Sequence, residues 1–151
     1  MVRRLTRRAK TRAAVVQLGL CAYCAAPLPE GFHCDHMNAR HWDDRAINLA
    51  AACGNCHAHK TLLERSAKRA GELHAMLRAA RRAKRDARAR IARMDDADID
   101  AYAATLPAWL RQRCVPTQPP AFLLRMARAA ERPTPSWDRF RFGAPQQTLH
   151  K

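Results

Sequence analysis

The chain has 151 residues, enough for one domain or a small stapled core with extensions, and too few for two ordinary enzyme domains. Lys and Arg number 28 against 13 acidic residues, a formal net charge of +15, and clustered basic side chains gain affinity for polyanions by releasing counterions from phosphates. No apolar stretch approaches the roughly 20 residues of a membrane-spanning helix, so the charge is read as the footprint of a nucleic-acid partner and no membrane.

Residues 1–20 begin with MVRRLTRRAKTR, which holds six basic residues and no acid. The segment reads as either a flexible phosphate-binding arm or the start of a helix running to about Leu18. The apolar run from Ala13 to Leu20 is short, contains Gln17 and lacks a small-residue cleavage pattern, so no signal peptide is read and a cytoplasmic location is expected. Cysteines kept reduced there favour metal ligation over disulfides.

From Cys21 to about residue 62 the composition shifts to Cys, His, Asp, Asn, Gly and Pro, the pattern of a small metal-held core. C21-A-Y-C24 and C53-G-N-C56 form two C-x2-C pairs. Each pair can place two thiolates on one ion at the ~2.3 Å of tetrahedral zinc, and four sulfurs close the site, which makes it structural. Such ligation contributes on the order of 10 kcal/mol to folding. An iron–sulfur cluster uses the same ligands. Cys34 and Cys114 have no partner in the pattern.

Between the pairs lie Asp35, His36 and Asn48, and directly after Cys56 come His57, His59 and Lys60. Phosphodiester hydrolysis needs a base to activate water and a divalent ion to stabilise charge on the phosphate and leaving oxygen. His36 has the free pKa of a general base, Asp35 and His57 offer an oxygen and a nitrogen to a catalytic Mg2+, Mn2+ or similar ion, and the Asn48 amide can bond the loop backbone and so orient His36. Adjacent strand residues point to opposite faces, so Asp35 and His36 can serve one phosphate only where the strand ends or twists. His33, His41 and His59 are further ligand candidates. Lys60 and Arg40 are candidates to neutralise a flanking DNA phosphate.

The order Cys-x2-Cys, Asp-His, Asn-Leu, Cys-x2-Cys-His and a nearby Lys resembles the zinc-containing branch of the His-Asn-His (HNH) endonucleases, over residues 21 to about 61. The resemblance implies an α+β chain with a ββα-metal, treble-clef-like core and metal-dependent hydrolysis of double-stranded DNA. On it, Asp35 matches the metal-binding acid, His36 the general base, Asn48 the positioning residue and His57 the second metal ligand. Cys21, Cys24, Cys53 and Cys56 match the structural zinc ligands. Where family members often carry Ile-x-Pro and then glycines, this chain has Met37–Asn38–Ala39–Arg40, so that loop is expected to take another path. The alternative is a zinc-stapled nucleic-acid-binding module without catalysis.

Residues 63–94 are rich in Ala, Arg, Leu and Lys, strong helix formers, with a narrow apolar stripe from Leu63 to Met94. One long basic helix is predicted, with a break near Gly71, able to lie along phosphates or to pack its stripe on the helices that follow. Residues 95–151 read as a helical extension: a helix capped by the Asp95–Asp98 cluster, a short one after Pro107 and another over 120–131. A tail follows in which Trp137, Phe140 and Phe142 alternate with Arg139 and Arg141, as a stacking surface or a docking segment.

Overall fold

A computed structural model describes residues 5–131. The residues on which the aromatic tail falls lie outside that range. The described chain is α+β, with six α-helices and one small antiparallel sheet.

Helix α1 spans Arg7–Val16, its first turn closed by Thr6, whose Oγ1 accepts from the Ala9 amide at 3.1 Å. Residues 7–16 are therefore a packed helix rather than an arm, with Thr11, Ala13, Ala14 and Val15 buried. The helix stops where Leu18 and Gly19 take positive φ values of 61° and 73°. Gly19 suits that conformation, and a Cβ on it would lie 3.1 Å from Leu106 Cδ2.

Strands β1, His33–His36, and β2, Leu49–Ala52, pair antiparallel with Asp35 opposite Ala50 and His36 opposite Leu49. Alanine is a poor strand former, yet β2 is covered on both sides. Ala50 packs with Ala22, Met37 and Ala80, while Ala51 and Ala52 join the main core. Small side chains are what such double coverage admits.

Helix α2, Gly54–Glu64, starts inside the second cysteine pair. The single long helix expected after residue 63 is instead interrupted at Arg65–Ser66, followed by a 3-10 turn at Ala67–Arg69 and helix α3, Ala70–Arg93. The break lies before Gly71, which sits in the first turn of α3. A straight helix would hold Leu63 and Ala80 about 26 Å apart, whereas four-residue strands run only about 13 Å. The turn lets α2 and α3 both reach the sheet.

Helix α4, Asp96–Thr105, is capped by Asp95 in a reciprocal box with Asp98. Helices α5, Ala108–Arg113, and α6, Pro120–Glu131, follow. Leu110, Leu123 and Leu124 from these helices close over Val15, Ile91 and Ile99 in one core, against which Cys53 and Cys56 also pack. The cysteine-bearing segment thus shares its core with the C-terminal helices. No described helix is long and apolar enough to cross a membrane.

Candidate metal centre and adjoining polar site

The four cysteines of the two C-x2-C pairs converge, all four Sγ atoms lying within 4.8 Å of one another. Cys24 Sγ and Cys53 Sγ are 3.9 Å apart, close to the ~3.8 Å edge of a tetrahedron with 2.3 Å zinc–sulfur bonds. The Cys53 amide points at Cys21 Sγ at 3.4 Å. The backbone amide of Cys56 holds the Cys53 thiol below its ordinary range, whereas burial pushes the Cys56 thiol above it. The donor set and spacing fit an ion such as zinc. Cys34 and Cys114 stand outside the cluster.

Beside it, the end of β1 and the first turn of α2 carry a second set of polar groups. Asp35 is buried and turned toward α2. Its carboxylate accepts from the Tyr23 hydroxyl and lies 3.2 Å from Lys60 Nζ, while its Oδ1 is 3.9 Å from His57 Nε2. Two donors bound about 2.0–2.2 Å from one ion lie about 3–4 Å apart, so this pair can share an ion, with Tyr23 and Lys60 anchoring the carboxylate behind it. Among the described residues no further His, Cys, Asp or Glu completes a second cluster of three. Burial, and after it the neighbouring His33 stacked at 4.5 Å, hold the His57 imidazole below its ordinary pKa, so the neutral ligating ring is favoured.

Lys60 was expected near a DNA phosphate, but it is 1% exposed. Its ammonium binds Asp35, Glu64 and the His36 carbonyl, the last at 3.1 Å. It is an internal counter-charge, out of reach of a phosphate. Arg40 is exposed, and its guanidinium forms no ion pair among the described residues. His59 is exposed on α2.

His36 is the last residue of β1, and its partners lie on the loop beyond the strand, unlike those of Asp35. Its Nε2 is 3.0 Å from Asp44 Oδ1, and His41 meets it edge-on. Asn48 Oδ1 accepts from the Asn38 amide at 3.0 Å and its Nδ2 donates to the Asp43 carbonyl at 2.8 Å. The Asn48 amide therefore ties together both arms of the 37–48 loop. Lys84 on α3 adds a clamp through the carbonyls of Ala46 and Ile47, at 2.9 and 2.8 Å.

Asp44, Tyr23 and Lys84 were not singled out from the sequence. The acidic pair at 43 and 44, so soon after His36, was a usable signal for Asp44. For Tyr23 and Lys84 the linear order offered none. Comparison with known protein families, with curated proteins and with solved structures finds no match to this chain.

Proposed function

We propose that this protein is a zinc-stapled, metal-dependent endonuclease of HNH type acting on double-stranded DNA. The observation that carries the reading is the 3.9 Å approach of His57 Nε2 to Asp35 Oδ1 beside a strand-terminal His36 whose loop is pinned by Asn48. The cysteine cluster holds zinc and fixes the start of α2, and with it His57. The net charge of +15 supports a phosphate-backbone partner.

Asp35 and His57 would hold the divalent ion, which when bound supplies charge stabilisation to the phosphate and the departing 3′ oxygen. His36 takes the proton of the attacking water. With Nε2–H donated to Asp44, the lone pair that accepts it lies on Nδ1. The water oxygen bonds to phosphorus as the bond from phosphorus to the 3′ oxygen breaks.

The competing reading is a binding module without catalysis, favoured by the ion pair that Asp35 already makes with Lys60. Plasmid cleavage by the purified protein with added Mg2+ or Mn2+ decides between them. Cleavage is expected from the native chain and lost in His36→Ala with zinc content and DNA binding retained. A plasmid left intact under both ions would sink the enzymatic reading.

A further inference from the structure

The loop between β1 and β2 carries a group that hydrolysis does not use. Trp42 is 77% exposed, the most exposed of the large apolar side chains among the described residues, and Ile47 further along the same loop is 64% exposed. A tryptophan ring left in water forgoes a large burial gain, and a loose loop tip would be an ordinary reason for it. This loop is not loose. The neighbouring Asp43 is its hub: its carboxylate accepts from Asn38 Nδ2 at 2.8 Å and from Arg45 Nε and Nη2 at 2.7 Å each, and its carbonyl accepts from Asn48. Trp42 is therefore presented on a backbone braced one residue away.

Charge selects the occupant. The two acids of the loop are already engaged, Asp43 by Arg45 and Asp44 by His36. Arg40 and His41 precede the ring, and the guanidinium of Arg40 has no acidic partner among the described residues. A braced aromatic ring beside an unpaired cation, in a chain of net charge +15, matches a polyanion that also offers flat apolar faces. Nucleic-acid bases have those faces, and in a duplex an apolar side chain reaches them by entering between base steps, which unstacks and kinks the helix.

We propose that Trp42 is a base-contacting wedge, stacking on or entering between base pairs of the bound duplex while Arg40 meets an adjacent phosphate. The partner is taken from the endonuclease reading, but the contact does not depend on cleavage.

The test uses the full zinc-loaded chain without added divalent ion, a mixed-sequence duplex carrying 2-aminopurine, and heparin as a polyanion without bases. Trp42→Ala is expected to weaken duplex binding about tenfold, to leave heparin binding and the salt dependence unchanged, and to abolish the 2-aminopurine brightening given by the native protein. Trp42→Phe should retain most of both signals. Equal duplex affinity in Trp42→Ala, equal losses on duplex and heparin, or no duplex binding by the native chain would each overturn the wedge. Plasmid cleavage separates the two readings. Trp42-dependent binding without cleavage under Mg2+ or Mn2+ removes the nuclease and keeps the wedge, whereas cleavage and binding indifferent to Trp42 do the reverse.

Discussion

Lys60 Nζ lies 3.2 Å from Asp35 Oδ2 inside the protein, so the acid of the Asp-His pair is held by a buried ion pair. Removing one partner of such a pair leaves the other charge buried without compensation, which costs about 3–5 kcal/mol. Lys60→Met keeps the length of the side chain and deletes the charge. It is expected to lower stability by that amount in urea unfolding, and to abolish cleavage because Asp35 then loses the group that holds it in place. A loss below about 1 kcal/mol, the range of exposed pairs, would show that the pair is not sealed from water.

The cysteine cluster makes a separate demand. Metal analysis should return about one zinc per chain, and Cys53→Ser should lose both the zinc and the fold, since ligation of this kind contributes on the order of 10 kcal/mol. Cys34→Ser, outside the cluster, serves as the control and should keep its zinc. A Cys53→Ser protein that stays folded without metal would mean that the shared core, rather than the ion, holds α2 in place.

The legibility of these sites differed for physical reasons. The cysteines could be read because two C-x2-C turns constrain four ligands locally, whatever the rest of the chain does. Helices 96–105, 108–113 and 120–131 could be read from caps, prolines and apolar spacing. Strand β2 could not, because Leu-Ala-Ala-Ala carries a helical propensity that pairing with β1 overrides. Nor could the break at Arg65–Ser66, where the sequence has neither Gly nor Pro and the turn answers to the distance between two packing surfaces. Lys60 was misread because a lysine next to a proposed phosphate site has the same appearance in sequence whether it faces out or in.

Asp44 orients His36 through the 3.0 Å contact to Nε2. Asp44→Ala frees the ring to rotate and to change tautomer, so the cleavage rate at saturating DNA should fall by at least about tenfold, with DNA affinity nearly unchanged. Asp44 lies on the exposed loop and the fold should tolerate the change. An unaltered rate would remove Asp44 from the site.

Tyr102 donates its hydroxyl to the Leu18 carbonyl at 2.9 Å, where α1 ends. Burial pushes the phenol above its ordinary pKa of 10.0, against a smaller opposing pull from Arg90. The unfolded chain therefore releases this proton at lower pH than the native one, and stability should fall as pH rises above about 10. Below that value both states hold the proton and this group adds no slope. Tyr102→Phe should be less stable at neutral pH, through the lost hydrogen bond, but should show a flatter decline between pH 10 and the alkaline end of the native curve. Parallel curves for the two proteins would rule the phenol out as the source.

Gln17 is the join between α1 and the sheet. Its side chain donates to the Ala51 carbonyl at 3.0 Å and accepts from the Ala51 amide at 2.9 Å, both within buried surroundings. The amide of a glutamine thus bonds the free edge of β2 beside the Ala22 amide, which donates to the same Ala51 carbonyl at 3.0 Å, and a further bond from Gln17 goes to the Leu20 carbonyl at 3.1 Å. Gln17→Leu is close in volume but leaves the buried Ala51 amide without its acceptor, at about 1–3 kcal/mol, while the Ala51 carbonyl keeps the bond from the Ala22 amide. A loss of about 1–3 kcal/mol in urea unfolding is expected, together with faster amide exchange at Ala51. Gln17→Glu should fall in the same range, because a carboxylate accepts from the amide but presents a second acceptor to the Ala51 carbonyl. If both variants unfold at the native midpoint, the edge of β2 is satisfied by water and α1 is not what closes the sheet.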